Sequence, residues 1–243
     1  KRKVRTMSGR VGSITTGIIT DGLVFHVDAA NRASYPKTGT TITDTINNAN
    51  GTFTSSPTFV NENSGVIDFD GTDRITFTAL SNNLNLGISD FSINSWIRTT
   101  KTSFQYIIAQ GGGSNSAAQR GFGIATNGDG YVYGFIATTT RTFVNTNPTT
   151  SVNDGNWHNV AGVWDRSDKL TWYVDGVFDQ EGDISSADGY DISYGSYCYL
   201  GTYGNATGGY LDGDLGPVQI YNRTLSANEV LHNYNALKGR FGL

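Results

Sequence analysis

Residues 157–177 read WHNVAGVWDRSDKLTWYVDGV, and this stretch decides the fold class. Side chains in a strand alternate between its two faces. Over residues 157–164 that puts Trp157, Asn159, Ala161 and Val163 on one face, and His158, Val160, Gly162 and Trp164 on the other. Residues 165–169 (DRSDK) are a polar loop, and 170–174 (LTWYV) are again β-branched and aromatic. Asp175-Gly176 follows, the dipeptide best suited to a type I′ turn, because both central residues need positive φ. The spacing predicts a β-hairpin.

The same texture runs outward in both directions. Strands are predicted at residues 22–28 (GLVFHVD), within 65–77 (GVIDFDGTDRITF), and at 91–98 (FSINSWIR). Further strands fall at 104–109, 121–125, 131–137, 141–144 and 196–200, separated by loops rich in Gly, Asn and Asp. Short strands at such spacing predict a sandwich of two antiparallel sheets. One helix is predicted over 226–238. Ser226 and Glu229 form a capping box, Leu225 and Val230 a hydrophobic staple, and Val230, Leu231, Tyr234 and Leu237 an apolar stripe, with Gly239 as the stop.

The hairpin resembles the "W-H-x-V … Y-V-D-G" pattern of laminin-G-like domains, which belong to the concanavalin A-like lectin/glucanase jelly rolls. Residues 65–77, 91–98 and 209–225 (GYLDGDLGPVQIYNRTL) resemble other strands of that family in the expected order. The opening, 22–36, resembles the laminin-G-like modules of tailed-bacteriophage virion proteins, which often end in a short helix like the one predicted here. The resemblance implies an all-β, concanavalin A-like jelly-roll sandwich of two antiparallel sheets with one short C-terminal helix. It occupies residues 21–243, preceded by a basic, extended arm over 1–20. The fold leaves function open, because it hosts lectins, adhesion modules, glycosidases and inert structural domains.

Composition agrees with β structure: 31 Gly, 13 Tyr and 12 Phe among 243 residues, with 16% charged and one Met. A β sandwich of this length often forms a single domain with a well-buried core. Cys198 is the single cysteine, so no internal disulfide forms, and its strand context predicts a buried, inert thiol. No run approaches the roughly eighteen apolar residues of a membrane span, and none has the apolar core of a secretory signal.

Glycoside hydrolysis needs two carboxyl groups flanking the sugar bond. Glucanases of the resembled family carry them in an E-x-D-x-E or E-x-D-x-x-E run, and this chain has no such run around Glu62, Glu181 or Glu229. The three histidines are scattered, and no G-x-S-x-G or phosphate-cradling loop occurs. The expectation is a protein without catalysis. Sugar binding needs exposed aromatics beside polar groups, and Tyr131, Tyr133, Tyr190, Tyr194 and Tyr203 lie in or near loops. Trp96, Trp157, Trp164 and Trp172 are expected in the core. Hard cations want several oxygen ligands. Asp70 and Asp73 in FDGTD, or Asp212 and Asp214 in LDGD, are short-spaced acids where the resemblance implies a calcium. The competing reading is that these aspartates only make turns.

The net charge is −4, yet residues 1–10 carry Lys1, Arg2, Lys3, Arg5 and Arg10 and no acid. This arm suits an acidic partner surface, and Ile14, Ile18 and Ile19 suit addition to a partner's sheet edge. Without aromatics the arm is a poor fit to nucleic acid. Residues 240–243 (RFGL) offer a second docking segment for another subunit. Together these features lead to a non-enzymatic structural protein displayed on a phage virion, on capsid or tail, held to other virion proteins by the arm. The alternative is a secreted or cell-surface carbohydrate-binding module, and a glycoside hydrolase is third.

Overall fold

The computed structural model describes residues 17–78, 84–111, 120–138, 148–193, 197–203 and 208–243. Residues 141–144, expected to be a strand, lie outside these. The described residues form fifteen strands. They are β1 (Leu23–Val27), β2 (Thr41–Thr43), β3 (Asn50–Thr54), β4 (Thr58–Val60), β5 (Val66–Asp70), β6 (Arg74–Thr78), β7 (Phe91–Arg98) and β8 (Gln105–Gly111). The remainder are β9 (Gly121–Thr126), β10 (Val132–Ala137), β11 (Trp157–Trp164), β12 (Lys169–Val174), β13 (Val177–Asp183), β14 (Tyr197–Leu200) and β15 (Asp212–Tyr221). One α-helix, α1, spans Ala227–Leu237.

The strands make two antiparallel sheets. The first runs β13-β12-β11-β7-β15-β5-β4, with β1 also paired to β15; the second runs β10-β9-β8-β14-β6-β3-β2. The predicted hairpin is β12–β13, and its turn residues take the positive φ a type I′ turn requires, 52° at Asp175 and 75° at Gly176. Strands β2, β3 and β4 have no counterpart in the sequence reading. They are short and carry Thr, Asn and Gly, and pairing with longer neighbours is what makes them strands.

The core lies between the sheets and is dominated by aromatics: Phe69, Phe77, Phe91, Phe122, Trp164 and Trp172 are all fully buried. Phe91 and Trp164 stack with centroids 4.4 Å apart. Room for the indoles comes from glycine. A Cβ at Gly134 would sit 2.6 Å from Trp172, and one at Gly162 would sit 2.7 Å from Trp164. At roughly 1.5–3 kcal/mol for each large apolar side chain buried, this cluster is a principal source of stability.

Both faces of β7 and β11 are buried, because the C-terminus covers the outer face of the first sheet. Ser226 caps α1 in a capping box with Glu229, as predicted. Leu225 and Val230 join a small cluster with Ala161, Val163 and Tyr221. The stripe differs from expectation at two positions. Leu231 is exposed, whereas Asn233 is fully buried. Asn233 earns that place through hydrogen bonds: its Oδ1 accepts from Ile19 N–H (2.8 Å), and its amide donates to the Tyr221 hydroxyl (3.0 Å). Gly239 does not stop the helix either. The chain tightens into a 3-10 turn over Lys238–Phe241, ended by Gly242 in the left-handed region.

The last residues dock on their own sandwich. Phe241 stacks on Trp96 at 4.2 Å and leans on Trp157, while Arg240 forms a two-pronged ion pair with Asp28. The four tryptophans are all buried, and so is Cys198, whose thiol pKa is pushed up by desolvation.

Candidate functional site

The outer face of the second sheet is built by alternation. Gly134 points inward, so Tyr133 and Phe135 on either side of it point outward. Tyr133 pairs with Ala125, and Ala125 pairs with Tyr106 on β8. Around Tyr106 a set of rings assembles. Tyr203 stacks on it at 4.8 Å, and Phe104 and Phe135 meet it edge-on at 4.8 and 6.1 Å. Phe104 also meets Tyr133 edge-on, and Phe135 meets Tyr203. The floor is held low by Gly123, where a Cβ would strike the Phe135 ring at 2.6 Å.

The cleft between Tyr106, Tyr133, Phe135 and Tyr203 holds about 40 Å³. That admits a water molecule but no sugar ring. The arrangement is therefore a shelf on which a flat apolar face can stack. Burial raises the phenol pKa of Tyr106 and Tyr133, so both hydroxyls stay protonated and can donate.

Two of the five tyrosines singled out in the sequence, Tyr133 and Tyr203, belong to this shelf. Tyr131 stands apart, in an isolated bridge with Ser151. Tyr190 lies on another loop, its carbonyl accepting from the buried guanidinium of Arg166. Tyr194 lies outside the described residues. Tyr106, Phe104 and Phe135 escaped the sequence reading. A signal for Phe135 was present, since Tyr133 and Phe135 are two apart in a strand.

The acids collect at one end of the first sheet, where Asp212 N–H donates to the side chain of Gln105, the neighbour of Tyr106. Asp70 pairs with Asp212 across β5 and β15, and Asp68 pairs with Asp214. The two acid clusters that looked like alternatives are thus one group. Arg98 on β7 stands opposite Asp214 and donates to it from Nε at 2.7 Å, and it also reaches Glu62 at 3.2 Å. Burial, followed by repulsion from Asp214, Asp212 and Asp70, lifts the Asp68 pKa above the usual carboxylate range. Asp70 is held below it by the hydroxyl and backbone N–H of Thr72. A polar groove of about 230 Å³ runs beside Arg98, Asp212 and Asp214.

Asp73 is turned inward. One carboxylate oxygen accepts from Asp70 N–H, and the other, fully buried, has no partner among the described residues. That orphan oxygen is the one feature that fits a cation. A calcium takes about six to eight oxygens, and among the described residues no group of three or more His, Cys, Asp or Glu is placed to hold a metal.

Of the residues expected to meet a partner, Lys1, Arg2, Lys3, Arg5, Arg10 and Ile14 lie outside the described residues. Ile18 and Ile19 are half-buried against the molecule itself. Ile19 packs beside Tyr221 and Val230, its carbonyl accepts from the Tyr221 hydroxyl, and the Gly17 carbonyl accepts from His232.

The model of the concanavalin A-like lectin/glucanases superfamily matches residues 69–231. No curated protein matches the chain in sequence. Solved structures do resemble it. The binding domain of Paraclostridial Mosquitocidal Protein 1 superposes with a TM-score of 0.70 at 17% identity, over 88% of this chain and 52% of that one. The receptor-binding domain of botulinum neurotoxin C/D mosaic serotype gives 0.68 at 14%, over 89% and 52%. Domain 4 of AbnA, a GH43 extracellular arabinanase from Geobacillus stearothermophilus, solved with arabinotriose, gives 0.64 at 13%, over 88% and 98%. The chain spans about half the length of the two toxin domains and nearly all of the arabinanase domain. At these identities the likeness concerns the fold. With the family match covering most of the chain and the sandwich built as described, this protein belongs to the concanavalin A-like lectin/glucanases superfamily.

Proposed function

We propose that this protein is a non-catalytic carbohydrate-binding module whose ligand stacks on the Tyr106–Tyr203 shelf. One observation carries the reading: a cluster of aromatic rings on the outer face of the second sheet, in which Tyr106, Tyr133 and Tyr203 stay half-buried and Phe104 is exposed. Aromatic rings left at a surface with polar tips in water suit the mixed apolar and hydroxyl faces of a sugar. The arabinotriose complex of the arabinanase domain, a structure of the same architecture, supports the reading. The absence of an E-x-D-x-E run supports a binding role over hydrolysis.

The test is titration of the wild type and of Tyr106→Ala and Tyr203→Ala with a glycan panel that includes arabino-oligosaccharides. Each substitution should weaken binding at least tenfold while the melting transition stays cooperative. Binding that survives both substitutions would place the site elsewhere.

A finer reading, display on a phage virion, is favoured by the residue 22–36 opening and by the basic residues at the N-terminus. It is compatible with the shelf. Residues 17–20 lie against α1, on the side of the sandwich opposite the shelf, so an arm leading away from them would anchor the module with its binding face outward. Electrostatic anchoring should weaken with salt. Purified particles lacking the chain at fixed copy number would end this reading.

A further inference from the structure

The two sheets end in β4 and β13 on the first and β2 and β10 on the second. Of these four strands only β13 is charged. Val177–Asp183 reads VFDQEGD, whereas Thr58–Val60, Thr41–Thr43 and Val132–Ala137 hold no acid or base. β13 pairs with β12 on one side, and among the described residues no backbone hydrogen bond reaches its other side. Alternate N–H and C=O groups of this seven-residue strand therefore face outward, open to a further strand. Val177 is 65% exposed and Phe178 53%, and the adjoining Gly176 abuts Leu231, which is exposed as well.

Charges on an edge guard it against stray pairing, but exposed apolar side chains beside them invite it. The acids are also in excess. Residues 168–183 hold Asp168, Asp175, Asp179, Glu181 and Asp183 against Lys169 alone. Lys169 meets Glu181 at 3.0 Å. Asp179 and Asp183 accept from neutral groups, Thr149 and Thr150 in one case and Ser185 in the other.

Asp179, Glu181 and Asp183 are spaced by two, and so are Lys1, Lys3 and Arg5 in the basic arm. An antiparallel register that sets Lys1 opposite Asp183 also sets Lys3 opposite Glu181, and Met7 opposite Val177. Arg5 then meets Asp179, the extra residue of a bulge that has no partner on β12. Opposite charges facing each other across a ladder stabilise it.

The arm is long enough. The Gly17 carbonyl accepts from His232 on α1, and the β12–β13 turn meets Leu231 and Tyr234 of the same helix. The two contacts are separated by about one helix diameter, roughly 10–12 Å. Residues 8–16 can span up to about 30 Å, which leaves residues 1–7 for the seven residues of β13. A chain that crosses α1 reaches Val177 before Asp183, and so lies antiparallel to β13, as the charge register requires.

We propose that residues 1–7 dock as an added antiparallel strand on the β13 edge of the same molecule. The short tether favours this edge over that of a second copy. The docked arm covers Val177 and Phe178 and closes the edge to other strands.

The experiment is hydrogen exchange of the backbone amides of residues 2–7 in the intact chain, read by nuclear magnetic resonance at two protein concentrations tenfold apart. Wild-type amides should exchange at least about tenfold more slowly than those of the free peptide KRKVRTM, equally at both concentrations. Lys1→Glu with Lys3→Glu should return the arm to the peptide's rate, and so should Glu181→Lys with Asp183→Lys. The first pair lies outside the sandwich and the second is exposed, so the melting transition should remain cooperative. All four substitutions together should restore protection. Wild-type exchange at the peptide's rate, or protection that survives either reversed pair, overturns the proposal. Two reversals without mutual rescue overturn the register. Protection that grows with protein concentration overturns docking on the chain's own edge and assigns the arm to a second copy.

Discussion

Trp96 and Trp157 point outward from the first sheet, and Phe241 covers both, with Tyr234 stacked on Trp96. Tyr106, Tyr133 and Tyr203 sit on the outside of the second sheet, where they meet one another and two phenylalanines. The same device, aromatics at outward positions, therefore serves two ends. On the first sheet it fastens the C-terminus, and the indoles are buried. On the second it leaves rings half-buried with hydroxyls at their rims. The choice of residue follows that difference, since tryptophan contributes the larger apolar area to a covered face and tyrosine tolerates a wet one. Charge divides the same way. Asp68, Asp70, Asp212 and Asp214 gather on the first sheet, while the shelf is built of uncharged rings.

The largest expected effect contrasts the two faces directly. Phe241→Ala should cost about 3–5 kcal/mol, as deletion of a well-packed ring does, measured by urea denaturation. Tyr203→Ala, which removes a half-buried ring, should cost well under half of that. Equal costs would make the shelf part of the core and weaken its claim as a binding surface.

A smaller effect concerns the rim of the covered face. His158 Nδ1 meets Asp175 at 2.9 Å and Nε2 meets Asp154 at 3.1 Å. The hydrogen bond to Asp175, outweighing burial, raises the His158 pKa above the ordinary 6.5. A raised pKa means that the protonated ring stabilises the fold. That contribution is full below pH 6.5 and disappears as pH climbs through the raised value. Because Asp175 opens the β12–β13 turn, whose Gly176 abuts Tyr234 and Leu231, the loss should loosen the hairpin against α1. His158→Gln should flatten the stability profile in that window. An unchanged profile would show that the two carboxylates do not govern this ring.

The smallest expected effect is that of metal removal. A cation bound only by the folded state raises stability by mass action. With one unpartnered carboxylate oxygen at Asp73 and Asp214 already paired to Arg98, chelation should leave the melting temperature unchanged. A clear drop, abolished in Asp73→Asn, would establish the calcium that the sequence suggested.

What the sequence determined by itself is whatever a few consecutive residues decide. The period-two runs at Phe91–Arg98 and Trp157–Trp164 became strands of the same length. Asp175-Gly176 became the turn, and Ser226 with Glu229 became the cap, because each depends on backbone angles and hydrogen bonds within a few residues. The tertiary structure decided everything that depends on which strands are neighbours. It put Tyr106 beside Tyr203 and set Asp70 opposite Asp212. It also buried Asn233 in preference to Leu231, because only the folded chain brings Ile19 and Tyr221 within reach of that amide. Register and coverage are non-local. A strand's pattern says which side chains share a face, but the partner strand and the element laid over that face determine what the face becomes.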